Sequence, residues 1–347
     1  MREVGEELRK RVLEALLKSH GFVSGAELSR LLGVSRATVS RVVRELIEKG
    51  FAIEVHPGVG YRVEVLNDLR YVDKALNAMP TRMRFSIHYL ERCSSSQDVA
   101  EALAIQGASE GSVVVCEEMW GGRGRMGRKW FANRGGLWFT VLLRPPQFRN
   151  LHILSLATGL SVAKALKTLF SVEARVKWPN DVLIDEKKVC GVLVEARAEA
   201  DRIHHLLLGV GINVNNELPE ELRETAVSLR EALGFHIPRA PPLREILLNI
   251  DSYYHTIISG EVAKVVKEWK EWSSTLGKSV RILTLDKTIE GIAIDVDDDG
   301  TLLLDTGKGI ERELLLGMSF TSEPLKENHH KCSSNALHSA KAFLLDV

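Results

Sequence analysis

GGRGRMGRKW, residues Gly121–Trp130, packs four glycines, three arginines and a lysine into ten positions. Two readings compete for it. Gly122-x-Gly124-x-x-Gly127 has the spacing of the dinucleotide-binding fingerprint, which requires a strand, a glycine turn and then a helix whose N-terminus faces a pyrophosphate. The alternative is a basic loop in which glycines let the backbone approach an anion and guanidinium forks grip carboxylate or phosphate. The residues on either side of the loop decide between them. GSVVVCEEM (111–119) ahead of it reads as a strand, but RKWFANRGGLWFT (128–140) behind it is aromatic and glycine-rich, with no helical face. The dinucleotide fold is excluded. Arg123, Arg125 and Arg128 become candidate anion ligands, and Trp130 marks the border of a pocket.

The flanking segments set the fold class. FSIHYLERC (85–93), GGLWFTVLLRP (135–145), EARVKWPNDVLID (173–185), KKVCGVLVEARAE (187–199) and IHHLLLGVGINVN (203–215) read as strands. SSSQDVAEALAIQG (94–107) is a capped helix, and 150–170 has helical periodicity. Strands mostly follow strands, so a mixed α+β domain fits better than a βαβ array. Three further clusters carry chemistry. Lys177-Trp-Pro-Asn180-Asp181 puts a lysine, an amide and a carboxylate around a turn. Lys188-Val-Cys-Gly191 places a cation in a very apolar strand. Gly209-Val-Gly211-Ile-Asn213 offers glycines that would let a ligand approach a strand closely.

The first 65 residues read as a DNA-binding module. Leu8, Val12, Ala15, Leu16 and Ser19 share one helical face. Ser24-x-x-Glu27 is a capping-box pattern, and Gly33 suits a helix exit. Ser35 can cap a second helix whose inward face is Val39, Val42, Val43 and Leu46, and whose early outward face carries Arg36, Thr38, Ser40 and Arg41. FAIEV-HPGVG-YRVEV (51–65) is a hairpin. Two short helices and a hairpin make a winged helix-turn-helix. A protein-binding module is the alternative; Arg36, Arg41, Arg44 and Lys49 favour DNA, because phosphate contacts need placed cations. Overall charge names no partner, since Lys+Arg and Asp+Glu both number 46.

The four cysteines form no C-x-x-C pair, which argues against a zinc site or disulfide framework. Asp295-x-Asp297-x-Asp299-Gly300 opens like a calcium loop, but Thr306 holds the place of the closing glutamate and strands flank it. His204-His205 and His329-His330 lack partners at ligand spacing. No metal site is expected from these residues. No run reaches the length of a membrane span, and MREVGEELRKR lacks a signal-peptide core, so the cytoplasm is the expected compartment.

Together GRGRMGRKW, KWPNDVL, KVCGVLVE and GVGINVN resemble the biotin protein ligase family, and the N-terminal module resembles its bifunctional biotin operon repressor branch. The resemblance runs to about Phe320. It implies a winged helix (1–65), a linker (66–84), a class II synthetase-like mixed α+β catalytic domain (85–275) and an SH3-like β-barrel (276–322). The polar tail (323–347) lies outside it and is a candidate for disorder. The resemblance also implies ATP-driven formation of biotinyl-5′-AMP, with magnesium accompanying ATP, and transfer to a lysine of a biotin carboxyl carrier protein. Operator DNA and a homodimer are implied as well, and no membrane.

Residue by residue, the family's glycine-arginine loop corresponds to Gly122, Arg123, Gly124, Arg125 and Arg128, its phosphate- and carboxylate-reaching lysine to Lys188, and its catalytic turn to Lys177, Asn180 and Asp181. Asp181 would orient the acceptor lysine or take part in magnesium-linked binding. Ser95-Ser96-Gln97 stands where the family binds the ureido ring, and Trp130, Gly191, Gly209, Gly211 and Asn213 complete the expected pocket. Met119 departs from a family glutamine, which predicts weaker biotin binding unless Trp120 or Gln97 supplies the missing bond. Two other functions share much of this pattern: a repressor that senses biotin or its adenylate without efficient transfer, and a lipoate-type ligase.

Overall fold

A computed structural model describes residues 2–19, 21–63, 68–145, 153–199, 202–283, 288–313, 319–320 and 343–346. Helices α1 (Arg2–Lys18), α2 (Gly25–Leu32) and α3 (Arg36–Glu48) precede a hairpin of β1 (Ile53–His56) and β2 (Gly60–Val63), as the winged-helix reading predicts. The local signals are made in atoms. Ser24 Oγ accepts from Glu27 N–H at 3.1 Å and Ser35 Oγ from Thr38 N–H at 3.1 Å. Gly33 leaves α2 at φ 69°, a left-handed geometry that favours glycine. Val39, Val42, Val43 and Leu46 are buried while Arg36, Arg41 and Arg44 face solvent.

The expected linker is not plain chain. Residues 69–71 form a 3₁₀ turn and α4 spans Val72–Asn77, burying Leu69, Val72 and Leu76. The leucines and valine recur at three- and four-residue spacing, so the segment packs although its composition is polar.

The catalytic region is one large sheet: β3 (Ser86–Cys93), β4 (Ser112–Met119), β5 (Leu137–Leu143), β6 (Ala174–Lys177), β7 (Asp181–Ile184), β8 (Lys187–Glu199) and β9 (Arg202–Ile212). Their order is β3-β4-β5-β9-β8-β7-β6. β3 and β4 run parallel, joined through α5 (Ser96–Ile105); from β4 onward along this path neighbours are antiparallel. Within the basic loop the chain makes only a 3₁₀ turn at Arg125–Gly127, and the next element is strand β5 rather than a helix, which removes the dinucleotide geometry.

α6 (Ile153–Phe170) is long and apolar enough to cross a membrane, but 83% of it is buried inside the protein; it is a core helix. Its first turn touches the KWPND turn, Ser155 Oγ donating to the Pro179 carbonyl at 3.1 Å. Its far end meets the winged helix. Phe170 packs edge-on to Phe51 at 6.1 Å, and Ser171 Oγ donates to the Glu6 carbonyl at 3.3 Å. After α7 (Leu229–Leu233) comes α8 (Ala240–Ile258), whose Arg244 adds a third tie, donating to the Glu48 carbonyl at 3.1 Å. A single hydrophobic core therefore runs from the winged helix into the catalytic region.

Helix α9 (Val262–Trp272) leads to β10 (Ser279–Leu283), β11 (Thr288–Val296), β12 (Leu302–Asp305) and β13 (Ile310–Glu313). With β15 (Phe343–Asp346) these form an antiparallel sheet in the order β13-β12-β11-β10-β15. The aspartate-rich stretch is the β11–β12 turn, where Lys270 pairs with Asp295 and Arg312 with Asp297 and Asp299. The short β14 (Ser319–Phe320) runs beside β8. The tail is not wholly unstructured, because β15 pairs with β10 and places its backbone hydrogen bonds in the sheet. The remainder of the tail, with His329 and His330, lies outside the described residues.

Candidate functional site

The C-terminal ends of several strands and the basic loop enclose a cavity of about 490 Å³, within the range of small-molecule sites. Among the residues read from sequence as ligand-binding or catalytic, all but Gly122 line it. Gly122 serves the loop's neck: a Cβ there would lie 2.6 Å from the Trp130 carbonyl, which backs the bond from Trp130 N–H to the Gly122 carbonyl at 2.9 Å.

One end of the cavity is the N-terminus of α5. Ser95, Ser96 and Gln97 are buried there. Ser95 Oγ accepts from Gln97 N–H at 3.2 Å, Ser96 Oγ lies 2.8 Å from Thr140 Oγ1, and Gln97 Nε2 donates to the Leu193 carbonyl at 3.3 Å. That last bond fixes the amide with its Oε1 available as an acceptor. Met119 Sδ accepts from Ser96 N–H at 3.1 Å, so the thioether caps an orphan donor of the helix. Trp120 is 64% exposed and does not line the cavity. It cannot replace the missing amide.

The glycines have a role the sequence reading missed. A Cβ on Gly209 would sit 2.8 Å from the Gln97 side chain, and one on Gly211 would sit 2.6 Å from the Trp130 ring. They make room for two pocket side chains, which in turn form the surface a ligand meets. Trp130 also packs edge-on against Trp138 at 6.1 Å, and its buried Nε1 has no hydrogen-bond partner. A buried donor left open is costly unless a ligand fills it.

The other end is charged. Lys188 Nζ lies 2.6 Å from Asp181 Oδ1, an ion pair not aligned as a hydrogen bond, and 5.4 Å from the Trp130 ring centre. Asn180 Nδ2 donates to the Val192 carbonyl at 2.8 Å, and its Oδ1 accepts from Arg125 Nη1 at 3.3 Å. Burial pushes the Arg125 guanidinium down to about 10, against the pull of Asp181. It stays charged at neutral pH, and an arriving anion would relieve that cost. Arg123 differs: burial opposes its charge, but Glu195 and Asp98 outweigh burial and raise its pKa.

Sequence reasoning also missed a wall. Leu218, Leu222, Thr225 and Ala226 close one side. The segment is held by Lys188 N–H donating to the Thr225 carbonyl at 2.8 Å and Val227 N–H to the Lys188 carbonyl at 3.0 Å. The leucine pair at i, i+4 was its one signal. Trp178 of the KWPND turn is buried and structural, its Nε1 donating to the Gly300 carbonyl at 3.2 Å and its N–H to Thr275 Oγ1 at 2.9 Å. Thus the C-terminal region clasps the KWPND turn.

The candidate DNA face lies on α3, apart from the cavity. Ser35 is occupied by capping, with Oγ 2.9 Å from Thr38 Oγ1. Arg41 pairs with Glu45 one turn along. Arg36 is exposed and Ser40 half-buried.

Residues 8–62 match an HTH domain, 89–213 the biotin/lipoate A/B protein ligase family, and 275–317 the biotin protein ligase C terminal domain. The bifunctional ligase/repressor BirA of Bacillus subtilis is 33% identical over 320 residues, covering 88% of this chain and 96% of the relative. That of Escherichia coli is 28% identical, covering 84% and 91%. Among solved structures, the biotin protein ligase from Aquifex aeolicus in complex with biotin and ATP superposes with a TM-score of 0.60 at 35% identity, covering 67% of this chain and 96% of that one.

Proposed function

The chain belongs to the biotin protein ligase family, and from that membership we propose how its pocket activates biotin with ATP and passes it to a carrier lysine. The supporting observation is the cavity itself, which gathers Ser95, Gln97, Arg125, Asp181 and Lys188 around one space. Joining a carboxylate to an α-phosphate brings two anions together, so cations between them must offset the repulsion and stabilise the developing charge. Arg125 and Lys188 take that role. Lys188 leaves Asp181 to meet the biotin carboxylate, and Arg125 meets the α-phosphate. The pyrophosphate departs, and the amine of a lysine on a biotin carboxyl carrier protein then attacks the acyl carbon, releasing AMP.

The ureido ring sits at α5, where the Ser95 hydroxyl donates and Gln97 Oε1 accepts. Magnesium would accompany ATP. Asp181 and Asn180 form the sparse donor set that suits an ion whose other ligands are phosphates, and Asp181 Oδ1 has no aligned hydrogen bond to lose. The bound ion would neutralise charge on the leaving pyrophosphate. Biotin-dependent ATP–pyrophosphate exchange, with lipoate and octanoate as controls, tests this assignment. Exchange supported by lipoate instead of biotin overturns it.

Met119 favours a second reading, a sensor that binds biotin weakly and transfers it poorly. Met119→Gln is expected to tighten biotin binding by roughly fivefold to a hundredfold with little change for ATP, since an unpaired polar group costs roughly 1–3 kcal/mol. Titration calorimetry on both proteins decides. Equal or weaker affinity in the variant means that Gln97 already satisfies the ring.

The winged helix acts as a biotin-responsive repressor domain, binding operator DNA as a homodimer in the cytoplasm. Arg41→Ala should weaken promoter binding and reduce the salt slope by about one, because one phosphate contact is lost. Gel shifts across salt concentrations, with and without biotin plus ATP, read both effects. An unchanged slope removes Arg41 from the interface; ligand-independent binding at every protein concentration removes the regulatory role.

A further inference from the structure

The two leading arginines of the basic loop stand in different surroundings. Arg123 Nε and Nη2 donate to the two oxygens of Glu195 at 3.0 and 2.9 Å, a fork against a carboxylate. Its Nη1 donates to Asp98 Oδ1 at 2.6 Å, and Asp98 Oδ2 accepts from Ser94 Oγ at 3.0 Å. Neither carboxylate lines the cavity. Glu195 belongs to β8 and Asp98 to α5, the two elements that flank the biotin end of the pocket.

Around this anchor the loop is a closed neck. Arg123 and Lys129 face each other across it, Gly124 N–H donates to the Arg128 carbonyl at 2.7 Å, and Trp130 N–H donates to the Gly122 carbonyl. Trp130 lies over Gly191, Gly211 and Lys188 as a result. Pulling Arg123 off its carboxylates would free the neck and lift the tryptophan. Holding it there keeps the pocket covered. The Glu195 carboxylate is 16% exposed against 46% for Asp98, so the bidentate pair to Glu195 is the less screened of the two.

We propose that Glu195 and Asp98 are positioning residues that hold the basic loop closed through Arg123, and so set how long the activated acyl-adenylate stays in the pocket. Arg123 is then a strut, while Arg125 and Lys188 serve the reacting groups. This rests on the ligase reading for the identity of the intermediate, but the anchoring of the loop does not depend on it.

The experiment uses the full-length chain with Glu195→Gln and, as a milder variant, Asp98→Asn. Labelled adenylate is formed in a single turnover and its release is chased with unlabelled biotin. Glu195→Gln should speed release by at least about tenfold, the scale of a lost charge-assisted pair, and Asp98→Asn by less. The maximal rate of biotin-dependent pyrophosphate exchange should stay within about threefold, a split that general destabilisation does not produce. Limited trypsin cleavage at the loop arginines, without any ligand, should quicken in the same order. Unchanged release and unchanged cleavage in both variants overturn the proposal. So does a collapse of exchange in step with cleavage throughout the chain, which assigns Glu195 to the fold. If the wild type forms no adenylate, the ligase reading fails and the cleavage rates alone decide whether the carboxylates hold the loop.

Discussion

Replacing Arg125 by alanine is expected to lower kcat/KM for biotin adenylation by at least about tenfold, and by up to about a thousandfold, since a donor aimed at developing charge contributes roughly 2–4 kcal/mol. The surroundings of the side chain place it high in that range. It is buried enough to lower its pKa to about 10, and a charge held in a poorly solvated site interacts more strongly with an arriving anion than an exposed one does. Arg125→Lys should recover part of the rate, because it restores the charge without the planar fork. Single-turnover adenylate formation at the wild-type rate in the alanine variant would reject the role. Biotin affinity should fall less than the rate, since the charge on the α-phosphate grows as the new bond forms.

Glu117→Gln should cost about 3–5 kcal/mol of stability, the usual result of breaking a buried ion pair from one side. Arg239 donates to both oxygens of Glu117, at 2.9 and 2.7 Å, and to the Gly136 carbonyl at 2.7 Å. The two side chains are 7% and 8% exposed, so solvent cannot replace the lost partner. Glu117 lies two residues before Met119, and Gly136 immediately precedes β5. The pair therefore braces both roots of the basic loop. Denaturant unfolding measures the loss; a change below about 1 kcal/mol would mean that the glutamine oxygen and the Gly136 carbonyl satisfy the guanidinium without the carboxylate charge. Adenylate formation should fall as well, because the loop would lose its footing.

Much of this molecule was legible in short stretches. Strands β3, β4, β5, β8 and β9 and helices α1–α3, α5 and α6 fall where hydrophobic period and turn residues put them. By contrast 173–185, read as one strand, is broken by the KWPND turn into the antiparallel pair β6 and β7, and α7–α9 carried no reading. The Ser24 and Ser35 side-chain caps and the Gly33 exit are made. The pocket's composition was legible too, because KWPND and GRGRMGR carry the residue types that anion chemistry needs. The wall at Leu218–Ala226 was not, since its hold on Lys188 is backbone pairing, which is nearly blind to side-chain type. The structured connector was missed because three buried apolar residues are diluted by polar neighbours.

By itself the sequence determined what interactions within about one helical turn or one strand can specify: element type, caps, the winged helix and the inventory of chemical groups. Only the tertiary structure decided what those groups do. Arg123 and Arg125 are two residues apart and read alike, yet one is tied to Glu195, 72 positions away, and the other to Asn180, 55 positions away. Gly209 and Gly211 read as openings for a ligand, yet they are filled by Gln97 and Trp130. Arg239 carried no motif and meets Glu117 across 122 positions. Such partners are chosen by strand order and by which faces the core buries, and both depend on the packing of the whole chain.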